Sequence, residues 1–454
     1  MNIDSVYAQP NLTPWAQVTI PEDEVEVAQV IRKNPKPKEE PAVTYYEGGE
    51  IGLITREIGR MANAAADEAS LMKIADAIER QVAIIREKQA KGILGRTKSG
   101  KQIRGDDWIK NGMSTVKWIR GGVMNHPPSH YTPSGDGAQI FELGNKKLPY
   151  WQFSTLAGVT CPGAGACMNK QGDITNQKWL GNKGGMGWCY SFSAWRQPAP
   201  FFRHLNNTIM MRLPDKRHIL RDLDEKTRGK PTVVRLYVDG DFDSVNAIEF
   251  WMETLRKRPN VLAYGYSKSW PQFLEYDRKI GGNWPDNYSL NLSGGSKYEN
   301  VPALREKMLR LKCTRGEFIA VKMGKNLPPL TLNESLLTPD QKLVFKSGGG
   351  KIPMDLSEFV FKKNQAYHDE VRRVAREYFA KRGMAGIGFF VCPSKCGTCL
   401  FNRANVKLDG VKLANRKAGG KTVQVQVPVF SGIGPNKHAC GQRDFKAPIV
   451  IGIH

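Results

Sequence analysis

"PTVVRLYVDGDFDSVNAIEFWMETLRKRPNVLAYGYSKS", residues 231–269, joins two β-branched apolar runs through a segment of helical period. The runs at 231–238 and 260–267 carry few polar interruptions, as strands covered on both faces do. Between them, 243–258 repeats its apolar residues at helical spacing and opens on Asp243 or Ser244, either of which can cap a helix. Two strands joined through a helix pair in parallel, so this stretch predicts an α/β fold. The rhythm continues with a helix at "PQFLEYDRKI", a strand at 287–293, a helix at "VPALREKMLRLK", a strand at 317–323, a helix at 367–383 and a strand at 386–391.

Outward from this core, the chain divides into four expected parts. Residues 1–45 are rich in Pro and acids and read as a disordered linker. Residues 46–125 read as a basic helical extension, with Leu71, Ile74, Ala75, Ile78, Val82 and Ile85 at helical spacing. Its later stretch interleaves Arg96, Lys98, Lys101 and Arg104 with Trp108 and Trp118, a composition that tracks phosphates while indoles stack on bases. A solvated basic loop beside two core tryptophans is the alternative. The α/β domain then runs over 126–391, and a Cys-rich lobe over 392–454.

The chain has 454 residues and a formal charge of +23, an excess that favours nucleic acid as partner because Lys and Arg release counterions from phosphates. No window is apolar enough to span a membrane, and the first residues lack the pattern of an export signal. The expected location is therefore cytoplasmic, the host's cytoplasm for a phage-encoded chain. Thiols stay reduced there, and clustered cysteines imply metal.

In a parallel α/β domain the working residues gather at the carboxyl ends of the strands. Here those ends carry Asp239, Asp241 and Asp243, then Tyr266, Ser267, Lys268 and Ser269, then "SGGS" (293–296), then Lys322 and Cys392. Asp239 and Asp241 do not begin a calcium loop, because Ser244 and Phe250 stand where Gly and Glu are required. Seven of the eight cysteines fall into two groups. Cys161, Cys167 and Cys189 would leave one coordination position open. Cys392, Cys396, Cys399 and Cys440 would close the shell of zinc or of an iron-sulfur cluster. Cys313 is expected to be a buried apolar side chain.

"GVTCPGAGAC" (158–167), "CYSFSAWR" (189–196) and the 231–269 stretch, in that order, resemble the phage "gene product 88" family of bacteriophages and plasmids. Asp239 stands where that family's Ser-Gly-Asp-Phe element has its serine. These elements are also similar to a phage family related to radical S-adenosylmethionine proteins. That similarity implies an incomplete (βα) TIM-like barrel. It makes Cys161, Cys167 and Cys189 cluster ligands, sets Asp241 and Arg235 across the mouth, and puts Lys268 with Ser269 on the next strand end. The usual radical trio of C-x3-C-x2-C spacing occurs only at Cys392–Cys399.

Two functions follow as expectations. One is a metal-cluster enzyme modifying or repairing nucleic acid, with an iron-sulfur centre or zinc and S-adenosylmethionine as candidate co-substrate. In it Asp241, Tyr266, Lys268 and Ser269 act on a substrate held by Arg235, Asp239 and the basic stretch. The other is a DNA-binding replication protein with a structural metal, sharpest as a rolling-circle initiator using Tyr264 or Tyr266 to nick. An inactive barrel kept as a scaffold is a third.

Overall fold

The computed structural model describes residues 50–65, 67–92, 94, 105–128, 130–132, 135–137, 140–143, 150–171, 174, 178–179, 189, 191, 197–323, 365–392, 407–418, 421–431 and 439–453. The expected linker, Arg96, Lys98, Lys101, Arg104, Cys396, Cys399 and His438 lie outside them.

The described helices are α1 (Glu50–Asn63), α2 (Glu68–Ala90), α3 (Asp106–Arg120), α4 (Pro198–Arg212), α5 (Arg217–Thr227), α6 (Val245–Arg256), α7 (Trp270–Ile280), α8 (Pro302–Arg310) and α9 (Gln365–Ala380). Short strands come first: β1 (His130–Thr132), β2 (Gly135–Gly137), β3 (Glu142–Leu143), β4 (Trp151–Phe153), β5 (Lys170–Gln171) and β6 (Lys178–Trp179). The longer series follows with β7 (Thr232–Leu236), β8 (Val261–Ser267), β9 (Tyr288–Ser293), β10 (Thr314–Lys322), β11 (Phe390–Val391), β12 (Lys407–Ala418), β13 (Lys421–Ser431) and β14 (Ile449–Ile453).

Eight strands form one sheet in the order β11-β14-β10-β9-β8-β7-β4-β3, and it is not closed. The pairs β4–β7, β7–β8, β9–β10, β10–β14 and β11–β14 are parallel. The α/β class and the parallel sheet expected from 231–269 are therefore present, as an open row. Two details differ from the sequence reading. The strand expected from 317 begins at Thr314, because a bulge at Gly316 takes up an irregular register. Cys313 sits in the turn before β10 and is fully buried, as expected of an apolar side chain. The "IVIGI" run of β14 has no counterpart in the sequence reading; it inserts between β10 and β11.

Contacts group the chain into two compact units. The first comprises described residues up to Glu142, Trp151–Tyr288 and Gly295–Cys313. In it, Asp67 caps α2 by accepting from Ser70 N while Ser70 Oγ accepts from Asp67 N, a reciprocal pair that fixes the start of the helix. Leu71, Ile74, Ala75, Ile78, Val82 and Ile85 form its buried face, as their spacing predicts. Ser244 caps α6 by accepting from Ala247 N, and α7 stops where Gly281 turns left-handed. Helix α4 is buried along its whole length from Phe201 to Met211.

The second unit holds Ser289–Gly294 and the chain from Thr314 onward, with a core of Ile319, Val321, Val371, Ala375, Phe379, Val391 and Val450. Among the described residues no helix is long and apolar enough to cross a membrane.

Candidate functional site

The site forms within the first unit, where β7 ends. Tyr237 and Gly240 both take positive φ, 54° and 81°, so the chain turns sharply twice between Leu236 and Asp241. A non-glycine residue in that region is strained and is held there by its surroundings. Here Trp251 Nε1 donates to Tyr237 Oη at 3.2 Å. Gly240 admits no side chain, since a Cβ would lie 2.0 Å from Thr155 Oγ1. The double turn sends the two aspartates into different surroundings.

Asp241 ties the end of β7 to the end of β8. Its Oδ1 accepts from Ser267 Oγ at 2.6 Å and from its neighbour Phe242 N at 2.8 Å. Its Oδ2 accepts from Lys268 N at 2.8 Å, and Ser269 N donates in turn to Ser267 Oγ at 3.0 Å. Burial pushes the Asp241 carboxyl up to about 6 in spite of these donors. Its described role is thus to hold Ser267–Ser269 in place. Ser269 is fully buried, and its Oγ has no hydrogen-bond partner among the described residues.

Asp239 faces the other way. Its Oδ2 lies 3.7 Å from His204 Nε2 on α4, an ion pair when the imidazole is protonated. Burial raises Asp239 to about 6, opposed by the Ser191 side chain and the Arg235 charge. The Arg235 guanidinium stacks 4.6 Å from the Tyr266 ring centroid. Sequence reasoning misses His204 and Ser191. Helix α4 is buried on every side yet contains Arg203, His204, Asn206, Asn207 and Thr208. Each such residue needs a partner: Arg203 pairs with Glu142, and Asn207 donates to the carbonyls of Ile140 and Ser154.

The cysteine loop lies against the same strand ends. A Cβ on Gly163 would stand 1.8 Å from the Lys268 carbonyl oxygen, and one on Gly165 would stand 2.6 Å from Lys297 N. The glycines of "CPGAGAC" are there because backbone packs on backbone. Ala164 bridges Ser296, and a 3-10 turn at Ala166–Met168 carries Cys167. Gly158 N donates to Cys161 Sγ at 3.3 Å, and Cys189 N donates to the Cys167 carbonyl at 2.9 Å. Cys161 and Cys189 pack on the buried cluster of Ala164, Cys167 and Met168.

Burial, then the Asp241 charge and Cys189, push the Cys161 thiol well up. Burial, then Cys167, push Cys189 up to about 11. Lys268 stands among these groups: burial alone would lower it, but Cys167, Asp241, Cys189 and Cys161 together raise it. Cys161 and Cys189, thiols that resist ionisation until a cation arrives, suit an ion that binds with proton release. Among the described residues, however, no three Cys, His, Asp or Glu side chains are already disposed as a ligand set.

The remaining expected site residues are placed differently. Trp108 is buried, 5.5 Å from the Phe201 ring and 5.8 Å from Phe202. This corrects the base-stacking role: the apolar face of α3 carries both Trp108 and Trp118 into the core. Tyr264 is also buried, which removes it as a nicking nucleophile. In the second unit, Cys392 N donates to the Val450 carbonyl, whereas the Cys440 carbonyl accepts from Ser289 Oγ and Asn291 Nδ2 on β9. β10 and β14 lie between β9 and β11 in the sheet.

Residues 131–333 match the family described as Gene product 88. The matched stretch contains Cys161, Cys167, Cys189, His204, Arg235, Asp239, Asp241, Tyr266, Lys268 and Ser269, and it ends before Cys392. No curated protein and no solved structure matches the chain.

Proposed function

We propose that this is a phage- or plasmid-type protein that carries a sulfur-ligated metal centre and acts on nucleic acid, with Cys161, Cys167 and Cys189 as the ligands. The observation that carries this reading is the packing of Cys161 and Cys189 on the buried cluster that holds Cys167, with the Lys268 and Asp241 charges acting on it. Iron-sulfur and zinc are the two candidate centres, because both take Cys thiolates. Three ligands would leave a position open for substrate or for S-adenosylmethionine. The sequential neighbours β7, β8, β9 and β10 favour an incomplete (βα) barrel as the scaffold, with the site at its strand ends.

When bound, the centre would supply Lewis-acid or electron-transfer chemistry. The chain's own part is positional. Lys268 offers a fixed positive charge, the Asp239–His204 pair can hold or pass a proton, and Arg235 braced on Tyr266 presents a cation to an anionic substrate. The charge of +23 favours nucleic acid as that substrate.

Anaerobic purification followed by iron, zinc and acid-labile sulfide analysis tests the reading. Bound metal is expected in the wild type and a large loss of it in Cys161→Ala/Cys189→Ala; neither iron nor zinc in fresh protein ends it. A DNA-binding replication protein with a structural metal is the second reading, favoured by the same charge and distinguished by DNA binding that leaves the nucleic acid chemically unchanged.

A further inference from the structure

"KLDGVKLANRKAGGKTVQVQVPVFS", residues 407–431, has five basic residues and one acid, and no further acid follows until Asp444. Its two halves are β12 and β13, paired antiparallel from Lys407↔Ser431 to Ala418↔Lys421. Gly419-Gly420, which suits a tight hairpin turn, stands between them. Among the described residues these strands form a sheet of their own and pair with no other strand. A lone two-stranded ribbon is marginal in water, and among the described residues no further strand supports this one.

We propose that the β12–β13 ribbon is an arm that lies in the major groove of double-stranded DNA. This deepens the nucleic-acid half of the proposed function and rests on it, while the metal centre is independent of it.

Three observations support the assignment. The first is charge: Lys412, Arg416, Lys417 and Lys421 cluster toward the hairpin tip, and the only acid, Asp409, falls at the bulge between Leu408 and Gly410, away from that tip. The second is size. Eleven registered pairs at about 3.4 Å each give a ribbon of roughly 37 Å, close to one turn of B-DNA at about 34 Å. The major groove admits a two-stranded ribbon, and the deep, narrow groove of A-form RNA does not. The third is the register. Asn415 pairs with Gln424 and both are exposed; Lys417 pairs with the exposed Thr422 two positions on, which places them on the same face. Asn and Gln are the residues that read adenine edges, and Lys is a phosphate partner. By the same register Lys412, Arg416 and Lys421 fall on the opposite face, with Val423, Val425, Val427 and Val429, so phosphates and base edges would be met from different faces of the ribbon. Basic residues also guard open strand edges against aggregation, but that role predicts no groove preference.

The full chain decides the matter by fluorescence anisotropy with a labelled DNA duplex across a salt series and an RNA duplex of matching sequence as competitor. The wild type is expected to prefer DNA. Lys412→Gln/Arg416→Gln/Lys417→Gln/Lys421→Gln is expected to weaken binding at least about tenfold and to flatten the salt slope by roughly 0.9 for each phosphate it no longer neutralises. Asn415→Ala/Gln424→Ala should leave the slope unchanged and reduce discrimination between duplex sequences. Hydrogen exchange of the wild type, which needs no variant to fold, should show protection over 407–431 on DNA binding. Undiminished DNA affinity in the quadruple variant, equal competition by RNA, or no protection overturns the arm alone. A wild type that binds no nucleic acid overturns both the arm and the nucleic-acid reading, and leaves the metal assay standing.

Discussion

The cysteine loop of the first unit and the cysteines of the second differ in what holds them. Cys161, Cys167 and Cys189 are fixed by a loop whose glycines press on Lys268 and Lys297 backbone, and Cys161 and Cys189 pack on the buried cluster that holds Cys167. Cys392 follows the short strand β11, and Cys440 is anchored through its carbonyl by two side chains of β9. The dispersed trio is drawn together because long-range backbone packing can bring separated segments to one point.

Matched substitutions in the two regions would sharpen or break this contrast. Gly163→Ala should have the largest effect, since its Cβ would meet the Lys268 carbonyl at 1.8 Å and backbone must move. A loss of roughly 3–5 kcal/mol is expected, read by urea unfolding, together with loss of bound metal. Asp241→Ala strands the Ser267 hydroxyl at the end of β8 and the Lys268 N–H just beyond it, and should cost about 2–4 kcal/mol in the same assay. Asn291→Ala, the counterpart beneath Cys440, removes one hydrogen bond and should cost only about 1 kcal/mol. Equal losses in the last two would erase the difference between the regions.

The pH response sharpens it further. Asp239 and Asp241 titrate near 6 in the folded chain and near the ordinary 3.8 once unfolded, so the folded chain binds more protons between those values. Their contribution is present below about pH 4 and is lost as pH rises through about 6, a decline of about 1–3 kcal/mol for each carboxyl. Unfolding midpoints should thus fall from about pH 4.5 to about pH 6.5 in roughly that measure, and Asp239→Asn should remove its share. The smallest effect is expected at Arg120, whose ion pairs with Asp76 and Glu79 are exposed; Arg120→Ala should shift stability by less than about 1 kcal/mol.

Much of the scaffold is visible before folding. Residues 231–269 announce strand, helix and strand through local periodicity, and Ser244 marks the cap that the structure uses. The strand-end positions of Asp239, Asp241, Lys268 and Ser269 follow from the same pattern. His204 escapes because its value lies in facing Asp239 from a helix that begins after Gln197, a relation with no local signature. Trp108 misleads because a basic neighbourhood says nothing about which side of a helix is buried. β14 escapes because a five-residue apolar run near the chain end gains its place only by pairing with β10 and β11.

The order of residues by itself determined the alternation of strands and helices, the excess of positive charge and the supply of thiols, since each depends on neighbours a few positions apart. Tertiary structure decided that Asp241 is a clamp, that Asp239 meets His204, and that three separated cysteines pack in one cluster. Those relations arise from strands and loops distant in sequence packing without room for an extra carbon, and no local periodicity encodes them.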